Sequence, residues 1–194
     1  MRGVEQIPWL YDFGMSVIEA TGLRRWRRWL AAAARGRVLD VGCGTGRSLA
    51  LLEGSPPPMG IDPCRPSLLA ERRRAPGAWL VQARAEALPF RDGVFDTILS
   101  GLVFCSVGDP AAGLREVRRV LRPGGTFRLL EHVRAEAAWR ARLQDRLQPL
   151  WTRITGGCHP NRDTERTVAL AGFRADPGSR RARGTMRRWT AQAG

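Results

Sequence analysis

Residues 40 to 46 read Asp-Val-Gly-Cys-Gly-Thr-Gly, and Asp62 follows at the end of the next apolar stretch, Met59-Gly60-Ile61. Glycine permits positive φ and lets a ligand approach the backbone where a Cβ would collide. An acidic side chain about twenty residues past the first glycine is placed to accept hydrogen bonds from ribose hydroxyls. Val38, Leu39 and Val41 form an apolar run ending at Gly42. This predicts a buried strand, a glycine turn, and a helix over Ser48 to Glu53 that offers free N–H groups. A glycine turn alone can serve packing only; paired with Asp62 at this spacing, it points to a ligand seat.

Two ligands suit such a seat, a nicotinamide dinucleotide or S-adenosylmethionine. A dinucleotide fingerprint needs glycine at position 47, where this chain has Arg47. The pattern present is Asp-x-Gly-x-Gly-x-Gly. With it the chain resembles the class I S-adenosylmethionine-dependent methyltransferases, whose first motif is this string and whose second is the acidic residue ending strand two. Ala85-Glu86-Ala87-Leu88-Pro89-Phe90, Phe95-Asp96 and Leu121-Arg122-Pro123-Gly124-Gly125 are similar to the branch that includes ubiquinone and menaquinone biosynthesis enzymes. Cys105-Ser106-Val107, Glu131-His132-Val133, Trp151, Gly157-Cys158 and Arg162 resemble methyltransferase-like thiol S-methyltransferases and bacterial phospholipid methyltransferases. The resemblance implies S-adenosylmethionine as cofactor, with Asp40, Gly42, Cys43, Gly44, Gly46, Asp62, Pro63, Ala85, Glu86 and Gly101 around it. One position departs from the family. Arg84 stands where an aspartate usually accepts a hydrogen bond from the adenine amine, and arginine has no acceptor. Glu86, a backbone carbonyl, or apolar contact and the Ala85 N–H would then hold the adenine.

The elements that must carry these residues alternate strand and helix. Strands are expected at residues 58–62, 78–83, 95–100 and 126–132, with a helix from Ser67 to Arg74 and another after the Asp109-Pro110 cap. Such alternation predicts an α/β fold, a Rossmann-like doubly wound sheet, mostly parallel, with ligands outside the carboxyl ends of its strands. The family closes its sheet with an antiparallel hairpin. Here only Phe173 to Ala175 and Thr185 to Thr190 can supply it, joined through Asp176-Pro177-Gly178. Residues 9–34 read as N-terminal helices, and residues 135–151 as a helix with Trp139, Leu143, Leu147 and Trp151 in line. One domain over residues 1–194 is expected, with 1–34 as a helical lid and 35–194 as the core.

The formal net charge is +14, and all 32 basic residues are arginine. This suits codon bias from a GC-rich genome as readily as a binding face, and nucleic acid is disfavoured because no stacking pattern accompanies the charge. The basic helix near residue 26, with tryptophans beside arginines, leaves peripheral contact with an anionic membrane open. No run of 18 apolar residues and no secretory leader is visible, so a cytoplasmic protein is expected. Cys43, Cys64, Cys105 and Cys158 lack metal-ligand or disulfide spacing, so no metal is expected.

Methyl transfer from a sulfonium is an in-line displacement that mainly requires positioning and exclusion of water. A thiol, amine or phenol acceptor also needs a base. His132 leads the candidates, with a loop-holding role as its alternative. Tyr11, Met15, Phe104, Cys105 and Trp139 are expected to line an apolar acceptor pocket, which suits a thiol, lipid amine or quinone-like molecule. A nucleic-acid methyltransferase and a cofactor-binding fold without transfer are the competing readings. The exposed edge of the C-terminal hairpin offers pairing to another subunit, which its charge discourages.

Overall fold

The computed structural model describes Trp9, residues 22–52 and residues 56–194. The first element is helix α1 (Arg24–Ala32), followed by β1 (Val38–Val41), β2 (Met59–Asp62), α2 (Arg65–Arg74) and β3 (Trp79–Gln82). Next come β4 (Phe95–Gly101), α3 (Pro110–Val120), β5 (Leu121–His132) and α4 (Ala138–Thr155). The chain continues through α5 (Thr164–Leu170), β6 (Phe173–Ala175), β7 (Arg181–Arg183) and β8 (Met186–Ala193).

One sheet runs in the order β3-β2-β1-β4-β5-β8-β6, with β7 also paired to β8. Strands β1 to β5 are parallel neighbours, whereas β8 lies antiparallel to β5, β6 and β7. This is the Rossmann-like sheet with its antiparallel closure. The turn through Asp176 is longer than a simple hairpin, because a 3₁₀ turn (Pro177–Ser179) and β7 intervene before β8.

Burial on both faces follows from the period of two along each strand. Ile98, Phe127 and Leu129 point to the face covered by Leu114 and Val117 of α3 and Val168 of α5. Leu99 and Leu130 point to the other, where Leu23 and Leu30 pack together with Trp26 and Trp29. Each such leucine contributes roughly 1.5–3 kcal/mol by leaving water.

The helix expected from Ser48 to Glu53 is replaced by a single 3₁₀ turn (Leu49–Leu51), and Leu52 is already extended. The stretch is too short to nucleate an α-helix, and Gly54 and Pro56 to Pro58 prevent its extension. The C-terminal part of the chain shifts the other way: α4 starts at Ala138 and runs through Pro149 to Thr155.

Arg128, buried on the α1 face of β5, ties α1 to the sheet. Its guanidinium donates to the carbonyl of Leu30 (2.8 Å) and to that of Trp29. It also stacks 4.1 Å from the Trp29 ring centre. The last carbonyls of a helix have no intrahelical donors, so a cation there supplies both hydrogen bonds and a favourable charge for the dipole. Burial, with Arg188 and Arg35 nearby, lowers the Arg128 pKa to about 10, which leaves it charged at neutral pH. Arg128→Ala is expected to lower the unfolding free energy by about 2–4 kcal/mol, through two orphaned carbonyls and the lost stacking. Urea denaturation checks this, and an unchanged midpoint would mean that α1 is held by its leucines alone.

Candidate functional site

The carboxyl ends of β1, β2, β4 and β5 open onto one cavity of about 1220 Å³. A pocket for one small ligand holds about 300–1,000 Å³. Gly42, Cys43, Gly44, Asp62, Pro63, Ala85, Glu86 and Gly101 lie on its wall, as do Cys105 and His132. Asp40 and Gly46 sit behind that wall. Tyr11 and Met15 lie outside the described residues.

The glycine turn takes the backbone form that its composition anticipates, with φ of 65° at Gly42, 58° at Gly44 and 78° at Gly46. A Cβ on Gly42 would meet Val103 at 2.5 Å, and one on Gly46 would meet Glu71 at 2.5 Å; at Gly44 nothing lies within 4 Å. The outer two glycines are therefore required by packing, and the middle one leaves the turn open for a ligand. In place of a following helix, α2 braces the turn. Cys43 Sγ donates to Glu71 Oε2 (2.8 Å), and Arg74 Nη1 donates to the Thr45 carbonyl (2.5 Å). Burial raises Glu71 to about 7 and pushes the Cys43 thiol well up.

Asp62 is buried at the end of β2; Oδ2 accepts from Gly44 N (3.0 Å) and Oδ1 from Cys64 N (2.8 Å). Each carboxylate oxygen retains a further lone pair for a ligand hydroxyl. Burial raises its pKa, and the two backbone N–H groups oppose that rise. Arg84 stands at the rim, its guanidinium 3.5 Å from Glu86 Oε1, which also accepts from Asp109 N (3.3 Å). The arginine in the aspartate's place is thus paired with the neighbouring acid.

Arg27 is a wall residue that the sequence reading passed over. It is buried, donates to Ser48 Oγ (3.2 Å), and offsets the burial that raises the Asp40 carboxyl. The signal was available, since Arg27 occupies the apolar stripe of α1 between Leu23 and Leu30. An arginine in such a stripe must find polar company.

The loop after β4 carries one correction and α4 another. Glu131, fully buried on β5, accepts at Oε1 from Ser100 Oγ (2.7 Å), Val103 N (3.3 Å) and Phe104 N (3.4 Å). Leu102 is held at φ 66°, donating to the Leu130 carbonyl (2.7 Å). From the opposite side, Arg162 donates to the carbonyls of Phe104 (2.8 Å) and Val107 (2.6 Å). This folded-back path turns Phe104 into the core, edge-on to Phe127, and away from the cavity wall. Trp139 is also absent from the wall. It is 63% exposed on the outer face of α4, because that helix seats its small and amide side chains inward.

His132 Nε2 lies 2.6 Å from Thr185 Oγ1. The neighbouring Cys105 holds the Cys158 thiol well below its ordinary value, while Cys158 and burial push Cys105 well up. The His159 N–H joins the two loops through the Cys105 carbonyl (2.8 Å). His132, Cys105 and Cys158 line the cavity together with Trp26, Trp151 and Met186.

Comparison with known proteins decides the family. A methyltransferase-domain model matches residues 39–129. Human thiol S-methyltransferase TMT1A is 36% identical over 145 residues, 70% of this chain and 59% of that protein. The ubiquinone/menaquinone biosynthesis C-methyltransferase UbiE of Stenotrophomonas maltophilia (strain K279a) is 36% identical over 149 residues, with the same 70% and 59% coverage. Residues 39–129 are a methyltransferase domain. A SAM-dependent methyltransferase from Thermotoga maritima shares the fold, with a TM-score of 0.73 at 17% identity over 95% of this chain and 96% of that one. The chain thus spans about three fifths of the length of the curated relatives it matches. The open turn at Gly44, the buried Asp62 carboxylate and the buried Arg27 cation fit S-adenosylmethionine, the cofactor of this methyltransferase family.

Two outcomes follow. Asp62→Ala is expected to weaken S-adenosylmethionine binding by about 1.5–3 kcal/mol, the range for hydrogen bonds to a charged group, as read by calorimetric titration. Unchanged affinity in a folded variant would remove Asp62 from the cofactor seat. The second outcome concerns Glu131, whose pKa burial raises to about 7 against an ordinary value of 4.5. Between those values the folded state holds a proton that the unfolded chain has released, so stability is fullest below about pH 4.5 and falls as pH rises towards 7. The urea midpoint should decline across this window, and Glu131→Gln should flatten the decline, with Glu71 accounting for what persists. An equal slope in that variant would mean that Glu131 is ionised throughout.

Proposed function

We propose that this protein transfers the methyl group of S-adenosylmethionine to a small, apolar acceptor, with thiols as the leading class. The observation that carries the reading is the single cavity that joins the glycine turn and Asp62 to a largely apolar wall around His132 and Cys158. Its size suits cofactor and acceptor together. Relatives named for thiol S-methylation and for ubiquinone/menaquinone C-methylation support a small acceptor over a macromolecule. The apolar string Leu102-Val103-Phe104 after β4 also argues against a target base, because it offers no side chain to hydrogen-bond one.

The bound cofactor supplies an electrophilic methyl group, and the protein's task is to position the nucleophile and exclude water. Asp62 binds the ribose hydroxyls, the Gly44 region admits the ligand backbone-close, and Arg27 provides a buried positive charge for a carboxylate. Trp26, Trp151 and Met186 hold an apolar acceptor by contact. His132, oriented by Thr185, takes the proton from the acceptor's heteroatom. A thiol suits this arrangement because its proton is removed at modest cost and its sulfur tolerates an apolar wall.

His132→Ala is expected to reduce kcat/KM for an apolar aryl thiol by about 10²-fold or more, the usual contribution of a positioned base. Calorimetry should show cofactor affinity within twofold of the parent. Full turnover in this variant would leave His132 as a loop anchor only. Failure of the parent protein to methylate thiol, amine and phenol acceptors alike would end the reading.

A further inference from the structure

Helix α4 presents its large apolar side chains to solvent. Trp139, Leu143, Leu147, Leu150, Trp151 and Ile154 are 63%, 48%, 52%, 60%, 44% and 50% exposed. At 100° per residue they fall within an arc of roughly 120° and extend about 22 Å along the helix. The opposite side attaches to the domain through small and polar groups. Ala141 and Thr155 are buried there, Gln144 bonds Ala135 N, the Val133 carbonyl and the Pro160 carbonyl, and Thr152 donates to the Cys158 carbonyl. The usual amphipathic arrangement is inverted, since a surface helix normally turns such a stripe to the core.

Charge decides what covers the stripe. Arg142, Arg146 and Arg153 are exposed and fall together along one edge of it, and Arg140 lies 5.0 Å from the Trp139 ring. The acid on this helix, Asp145, is already bound by Arg134 and Asn161. A second copy of the chain would bring two arginine edges together, at a cost in like-charge repulsion. A lipid bilayer with anionic headgroups instead accepts both the apolar stripe and the flanking cations, with tryptophans at the headgroup level. Among the described residues no helix is long and apolar enough to cross a membrane, so the contact lies in the interface plane.

The stripe also meets the site. Trp151 belongs to it and lines the cavity, and Thr155, one turn further on, lines the cavity as well. We propose that α4 docks this protein on an anionic bilayer surface, with the cavity mouth beside Trp151 facing the lipid. An apolar acceptor dissolved in the bilayer then reaches His132 without crossing water. The docking stands independently of the assigned reaction; only the acceptor's route rests on it.

The test is sedimentation of the full chain with vesicles of phosphatidylcholine alone or mixed with phosphatidylglycerol, at low and high salt. At least tenfold stronger partitioning onto the anionic vesicles is expected, weakening as salt rises. The double variant Leu143→Glu, Leu147→Glu should lose at least tenfold of it while binding S-adenosylmethionine as the parent does. The triple variant Arg142→Gln, Arg146→Gln, Arg153→Gln should lose the preference for anionic lipid. Equal binding by the leucine variant, or none by the parent, would overturn the proposal. So would light scattering that shows a dimer which the leucine variant splits, since a second copy would then cover the stripe. Turnover on a water-soluble thiol, unaffected in the leucine variant, separates failure of docking from failure of the assigned reaction.

Discussion

A carboxylate buried in the middle of a sheet is costly unless donors surround it, and Glu131 receives three from the end of β4 and the loop beyond. That requirement shapes much of the site. To deliver the Val103 and Phe104 N–H groups to one oxygen, the chain must fold back at Leu102, which sends Phe104 into the core and Val103 towards the glycine turn. Val103 then occupies the space that a side chain at position 42 would need. The shape of the cofactor turn on β1 is thus determined partly from two strands away. The second carboxylate oxygen, Oε2, has no hydrogen-bond partner among the described residues, in keeping with a group whose proton is held towards neutral pH.

The large positive charge divides into roles that composition alone does not separate. Arg27 and Arg128 are buried and act inside the fold, one at the cavity wall and one at the end of α1. Arg74 and Arg162 hold loops through backbone carbonyls. Arginine suits this work because its planar fork can bond two carbonyls at once and remains charged when partly buried. Trp26 and Trp29 are engaged in the same way, with Arg188 4.6 Å from the Trp29 ring and Arg128 on it too. Among the described residues, α4 carries an exposed tryptophan–arginine surface.

Much of the architecture was legible in the chain itself. Apolar runs ending in glycine or aspartate located β1, β2 and the ligand seat, because buried parallel strands and tight turns demand those residue types. The antiparallel closure was legible only through family resemblance, since Arg181 to Arg183 carries no alternation of its own. Two side chains were misplaced for related reasons. Phe104 was assigned from its nearness to the strand end, yet one residue at positive φ reverses a loop's direction without marking the sequence. Trp139 was assigned inward because it is in line with Leu143, Leu147 and Trp151, a stripe that usually faces the core, and the glutamines and threonines that hold α4 inward do not announce themselves by hydrophobicity. The helix after the glycine turn failed through neglect of the glycine and prolines that follow it. Arg27 could have been read from its place within an apolar stripe.

Leu102 lies in a backbone region that costs a residue with a Cβ roughly 1–3 kcal/mol, and its side chain packs beside the lid cluster. Glycine would remove the strain at that position but would also remove an apolar surface from the cavity wall and free the loop's unfolded ensemble. No replacement satisfies both demands, so the position sits at a compromise between a sturdier fold and a more closely shaped pocket. Variants selected for heat resistance alone would drift towards relaxing this residue, and those selected for turnover would keep it strained.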